Sequence, residues 1–177
     1  MLKANHTIEP QLPYRQPEID VMLDKVFGLS RQAKTSYRLR EGEQPVDGLS
    51  FMMTSEKNEL LGAISFWSLR IGKTGSKALL LGPLAVDPAH RGQGIGLALM
   101  QHGLSEAKRL GHRLVILVGD EPYYARVGFQ RVPDGQLLMP GPVDDNRLLY
   151  LDLADGALAS GPQLVGSVRT YLRPARG

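Results

Sequence analysis

The chain has 177 residues, with 21 Lys and Arg against 18 Asp and Glu, a formal net charge of +3. That excess suits an anionic ligand but is too small to argue nucleic-acid binding by itself. There is no cysteine, which excludes disulfides, thiolate metal sites and a cysteine nucleophile.

A length of this order predicts one domain, spanning 1–177 with a core at about 17–153 and a C-terminal extension at 154–177. The first residues, Met-Leu-Lys-Ala-Asn-His, lack an apolar segment, so no secretory leader is expected. No run approaches 18 apolar residues, so no membrane-spanning helix is expected either. A cytoplasmic location follows as the expectation.

His6 to Ile8 reads as a short strand. Residues 17 to 27 read as an amphipathic helix, because Ile19, Met22, Leu23, Val26 and Phe27 recur at helical spacing behind Pro17. Gly28 is its expected C-cap. A second, weaker helix is expected from Ser30 to Leu39. Arg31, Lys34, Arg38 and Arg40 in this region are expected to form a solvated basic face. Leu49 to Met53 and Leu60 to Ile71 read as a hairpin across the charged turn Glu56-Lys57-Asn58-Glu59.

Ala78 to Val86 reads as the buried central strand. Pro83 removes a ladder hydrogen bond, so this strand should bulge or bend at Gly82-Pro83. Asp87-Pro88 stops it. Arg91-Gly92-Gln93-Gly94-Ile95-Gly96 follows, and then a helix to Leu110 with the apolar arc Ile95, Leu99, Met100, Leu104, Ala107 and Leu110. Strand, glycine-rich loop and helix N-terminus make a cradle for a pyrophosphate, through backbone N–H groups and the helix dipole. Two other phosphate motifs fail here. Gly72-Lys73-Thr74 could end a Walker A loop, but Trp67 stands where its first glycine belongs. A dinucleotide fingerprint lacks its third glycine, because Leu97, Ala98 and Leu99 follow Gly96.

Leu114 to Val118 reads as a buried parallel strand reached by a right-handed crossover. Pro122 opens a helix of about one turn that Gly128 ends, and Phe129 to Val132 reads as another strand. Residues 133–145 form a proline- and glycine-rich loop, and Arg147 to Leu153 the last clear strand. The tail from Ala154, with Pro162 and Tyr171, could add an edge strand.

Two stretches resemble the GNAT superfamily of N-acetyltransferases. Arg91-x-x-Gly94-x-Gly96, preceded by Leu84-Ala85-Val86-x-Pro88, is similar to its acetyl-CoA motif. Tyr124-x-x-x-Gly128-Phe129 is similar to its second signature. The resemblance implies an α/β (α+β) fold: a mixed, twisted sheet of six to seven strands, split at the central strand, with about four helices. It implies that Leu84, Ala85 and Val86 contact the pantetheine arm of acetyl-CoA by main chain. It implies that Arg91, Gly92, Gln93, Gly94, Ile95 and Gly96 hold the pyrophosphate, and that the first two helices and their connection line the acceptor side of the cleft, the alternative to a solvated face for Arg31, Lys34, Arg38 and Arg40.

The implied reaction is direct acetyl transfer to a primary amine, with Tyr124 protonating the departing thiolate and Tyr123 packing beside it. The general base stays open between Asp120 and Glu121, with Glu56 or Glu59 available only if the hairpin folds over the site. His90 reads as a loop residue or phosphate neighbour rather than a base. No metal is expected. The expected partners are a small-molecule or peptide amine, and a homodimer is the commonest assembly for such enzymes; neither a membrane nor a nucleic acid is expected. The same motifs would also serve a non-catalytic acyl-CoA-binding module or sensor.

Overall fold

Three neighbouring strands alternate so that each face of the sheet buries its own set of side chains. The computed structural model describes residues 5–158 and 166–170. Within them the strands are β1 (Thr7–Pro10), β2 (Ser50–Thr54), β3 (Leu60–Ile71), β4 (Ser76–Val86), β5 (Leu114–Val118), β6 (Gln130–Arg131), β7 (Leu137–Leu138), β8 (Leu148–Asp152) and β9 (Gly166–Thr170). The helices are α1 (Gln16–Phe27), α2 (Thr35–Arg38), α3 (Ile95–Arg109) and α4 (Glu121–Tyr124). One path runs β1-β2-β3-β4-β5-β8-β6, and β9 lies between the far end of β3 and β7.

Met52, Ala63 and Ala85 are register partners across β2, β3 and β4. They are buried with Ile19, Met22 and Leu23 of α1, and the two alanines leave room for that helix. The opposite face presents Phe51, Met53, Ile64 and Phe66 to Ile95, Leu99, Met100 and Leu104 of α3. Period two in the strands and period 3.6 in the helices therefore meet in a helix–sheet–helix stack. A second cluster, including Leu80, Ile116, Leu137, Leu148, Leu158 and Val168, fills the other half of the sheet.

Gly103 sits where α3 crosses Phe66. A Cβ built there lies 2.5 Å from Phe66 Cε2 and 2.9 Å from Cζ. Overpacking of this kind costs about 1–3 kcal/mol, against about 1 kcal/mol gained in helix propensity. Gly103→Ala is therefore expected to lower stability, read as an earlier urea midpoint. An unchanged or later midpoint would mean that the ring moves aside freely.

The split in the sheet is the feature that positions the site. β3 and β4 keep antiparallel register from Ile71↔Ser76 to Phe66↔Leu81, then slip, so that Ile64 faces Leu84. The extra residue lies on β4 at Gly82-Pro83, as the proline predicts, and that peptide is cis. β4 and β5 are parallel but pair only at Leu79↔Val115 and Leu80↔Ile116. Beyond Leu80 they diverge, and β4 keeps β3 on one side with no β5 partner on the other.

Several expectations need adjustment. No continuous helix runs from Ser30 to Leu39: a 3-10 turn at Arg31–Ala33 and the one-turn α2 are separated by Lys34 in an extended conformation with ψ 145°. Ser30 makes no capping hydrogen bond. The basic face is not uniformly solvated. Arg31 is 7% exposed, with its Nε 2.8 Å from Asp24, and Arg40 is turned inward, whereas Lys34 and Arg38 are exposed. Leu110 does not join the apolar arc of α3: it is the C-cap residue and is exposed. The strand after Phe129 shortens to Gln130–Arg131. In the tail, β9 pairs antiparallel with Leu69 to Ile71; the rest of it, including Pro162 and Tyr171, lies outside the described residues.

Candidate active site

Where β4 and β5 part, a cleft of about 460 Å³ opens. Leu81 to Leu84 form one wall and Val118 to Asp120 another, with Tyr123 and Tyr124 from α4 beside them. Lys34 to Tyr37, Arg40 and Phe27 close the side nearest α1 and α2, and Pro142, Val143, Asp144 and Arg147 close the remaining edge. Thr35 Oγ1 donates to the Pro142 carbonyl at 2.7 Å, tying α2 to that last loop.

Local chemistry fixes the loop that leads from β4 into α3. The Asp87 N–H donates to the Leu61 carbonyl at 2.9 Å, extending the β3–β4 contact by one residue. Its carboxylate accepts from the Ala89 N–H at 2.9 Å and caps a 3-10 turn at Pro88–His90. That backbone bond, with Lys25 nearby, holds the Asp87 carboxyl below its ordinary range. Gly92 and Gly94 then take φ of 77° and 78°, values that side chains resist. Gly94 is the N-cap of α3, with no side-chain cap to occupy the free N–H groups. Arg91 and Gly92 are exposed, Gln93 is half-buried, and Ile95 anchors the first turn in the core. His90 Nδ1 and Gln93 Oε1 are buried without hydrogen-bond partners among the described residues. A loop with open backbone donors, an exposed arginine and unfilled polar atoms fits a pyrophosphate. Its residues do not line the cleft, so the two sites are adjacent rather than one.

Tyr124 lies with its ring against the backbone of Gly119, where a Cβ would collide with it. Its ring is edge-on to Tyr123 at 5.1 Å and to Phe129 at 6.0 Å between centroids. Burial, aided by Tyr123 and Asp120 and opposed by Arg147, pushes its phenol up to about 12. Tyr123 reaches the first turn of α3, where its hydroxyl takes the space a Cβ on Gly96 would need. It braces α4 against the helix that carries the glycine loop.

The carboxylates sort by position. Asp120 lines the cleft, is 79% exposed in its side chain and has Arg147 Nε 3.4 Å away. Glu121 opens α4, is exposed and does not line the cleft. Glu59 bonds within its own turn, through Ser55 at 3.2 Å, and neither Glu56 nor Glu59 lines the cleft. Asp144 lines it, but its carboxylate caps the Asn146 N–H at 2.9 Å.

Leu84 lines the cleft, Ala85 is buried against α1, and Val86 packs on the α3 side. The resemblance placed the first two helices on the acceptor side, but sequence reasoning preferred a solvated face for Arg40 and did not single out Thr35, Ser36 and Tyr37, which line the cleft with it. The weak signal there was a tyrosine three residues before an arginine in a stretch with poor helical periodicity.

Comparisons with known proteins converge. A model described as "Acetyltransferase (GNAT) family" matches residues 18–129. The uncharacterized N-acetyltransferase YhbS of Escherichia coli K12 is 29% identical over 154 residues, covering 85% of this chain and 89% of its own. The mycothiol acetyltransferase of Geodermatophilus obscurus is 36% identical over 103 residues, covering 53% of this chain and 33% of its own. Among solved structures, E. coli YhbS in complex with CoA superposes with a TM-score of 0.79 at 27% identity, over 97% of this chain and 92% of that one. A Brucella melitensis acetyltransferase in complex with acetyl-CoA superposes at 0.61 and 25% identity, over 84% and 97%.

Proposed function

The chain belongs to the acetyltransferase (GNAT) family, and from that premise we propose that it transfers acetyl from acetyl-CoA to a primary amine in the β4–β5 cleft. The observation that carries the reading is the two-rung contact between β4 and β5, which leaves the β5-facing edge of β4 beyond Leu80 unpaired beside Tyr124. The likeness to proteins solved with CoA and with acetyl-CoA supports it.

Leu84, Ala85 and Val86 would offer their unladdered backbone edge to the amides of the pantetheine arm. Arg91 and the N–H groups from Gly92 to Gly96 would hold the pyrophosphate. When bound, the thioester supplies an activated acetyl carbonyl. A lysine-like amine must first lose a proton, which at pH 7 costs about 5 kcal/mol. Asp120 is the carboxylate we assign to take that proton, since it lines the cleft, Glu121 does not, and Asp144 is occupied by its cap. Tyr124, whose phenol stays protonated, would give a proton to the departing sulfur. A single domain would carry both cradle and cleft.

Calorimetric titration with acetyl-CoA tests the cradle, with ATP and NAD as controls. Acetyl-CoA alone is expected to bind, and Arg91→Ala to weaken it at least tenfold, about 1.4 kcal/mol. No binding of acetyl-CoA would overturn the reading. Binding without turnover on any amine would turn it into that of an acyl-CoA sensor.

A further inference from the structure

Among the described residues three cations line the cleft, Lys34, Arg40 and Arg147, and Arg40 is the least exposed of them. Arg40 follows α2 and points inward at the bulge of β4. A Cβ on Gly82 would lie 2.8 Å from its Nη2. The guanidinium carbon stands 4.3 Å above the centre of the Tyr37 ring and 5.8 Å from that of Trp67. Trp67 is held in place by its Nε1, which donates to the Gly82 carbonyl at 2.7 Å. Two aromatic faces thus grip the guanidinium. The Nε and Nη1 atoms of Arg40 are buried and have no hydrogen-bond partner among the described residues.

Charge makes this arrangement costly. Burial pulls Arg40 down to about 10, with Tyr37 opposing and Arg31 adding repulsion. At neutral pH the group is still cationic. No described carboxylate is placed to meet it: of the cleft's two acids, Asp120 has Arg147 beside it and Asp144 caps a turn. Desolvated donors without acceptors are unfavourable unless a ligand completes them. The planar fork matches a carboxylate, which supplies two acceptors in one plane. Lys34, on the same wall, adds positive potential.

The co-substrate is a poor source of that anion. Its phosphates would sit at the loop from Arg91 to Gly96, none of which lines the cleft, and its pantetheine arm and thioester are neutral. The anion must therefore arrive with the acceptor. Resting on the acetyl-transfer reading, we propose that the acceptor is an amine carrying a carboxylate, an amino acid or a close relative, and that Arg40 binds that carboxylate. A cleft of about 460 Å³ is of small-ligand size. Asp120 on the opposite wall suits the ammonium end of such a zwitterion.

The test uses the full chain with acetyl-CoA and the twenty standard amino acids, each beside its α-carboxamide. CoA release is measured for the native protein, Arg40→Gln and Arg40→Lys. The native protein should prefer at least one acid over its amide by tenfold or more in kcat/KM, mostly through KM. Arg40→Gln should bring that ratio close to one, and Arg40→Lys should keep part of it, having the charge without the fork. Arg40→Gln should melt no lower than the native protein, because it removes a charge that the fold leaves unpaired.

Equal loss on acids and amides would assign Arg40 to the acyl carbonyl and overturn the proposal. So would a ratio that Arg40→Gln leaves unchanged, or no acid preference anywhere in the panel. Saturation-transfer NMR with the same acids and amides reads carboxylate recognition without turnover. Failure of acetyl transfer, seen as no acetyl-CoA binding in the calorimeter, is thereby separated from failure of acceptor recognition.

Discussion

Replacing Tyr124 with phenylalanine is expected to lower kcat by about 100- to 10,000-fold while the affinity for acetyl-CoA is kept. The ring would remain, so its edge contacts with Tyr123 and Phe129 and its seat on Gly119 are preserved. Only the hydroxyl is lost, and with it the proton for the leaving sulfur. Because burial holds the native phenol at about 12, it stays protonated across the working range. The sign of the pH profile follows. The native rate should rise with pH as the amine loses its proton, and no falling limb from Tyr124 should appear below about pH 10. In the variant the same rise should persist at a much lower plateau. Steady-state rates of the two proteins from pH 6 to 10 settle it. Equal kcat would remove Tyr124 from the chemistry and favour a water or the thiolate leaving unaided.

The second large effect concerns stability. Phe66 is fully buried at the centre of β3. It faces Leu81, the last β4 residue before the bulge, and lies under Gly103 of α3. Phe66→Ala removes a ring that both helix and sheet are shaped around. The expected cost is about 3–5 kcal/mol, transfer and cavity terms together. At about 2–4 °C per kcal/mol for a chain of this size, the melting temperature should fall by about 10 °C. Thermal unfolding followed by circular dichroism measures it. A fall of only a degree or two would mean that α3 collapses into the vacated space. The Gly103→Ala penalty should also vanish in the Phe66→Ala background, since the ring it strikes is gone.

Much of the fold is legible because the strands announce themselves locally. The runs from Leu60 to Ile71 and from Leu114 to Val118 have the bounds read from sequence, and Pro83 alone forecast the bulge. The glycine loop was legible for a similar reason: Gly92 and Gly94 take backbone conformations that few other residues tolerate.

The stretch from Ser30 to Arg40 was not legible. Its residues have moderate helix propensity, and nothing local reports that Lys34 must be extended so that Thr35 can reach Pro142, 107 positions later. Arg40 was misjudged because burial of a cation depends on Tyr37 and Trp67 arriving from different elements. That Asp120 lines the cleft and Glu121 does not depends on the direction of one turn of helix, which adjacent acids in a sequence do not reveal.

The parting of β4 from β5 also bears on how the molecule avoids its neighbours. An unpaired strand edge is a template for any passing strand, and proteins ordinarily blunt such edges at the rim of a sheet. Here two edges arise in mid-sheet. They are joined at the narrow end by Leu79↔Val115 and Leu80↔Ile116. Pro83 puts a missing donor and a kink three residues along the open edge. The loop from Pro142 to Arg147 crowds the other side. A straight strand from another chain finds no run of evenly spaced partners there, so the sheet can stay unfinished without inviting aggregation.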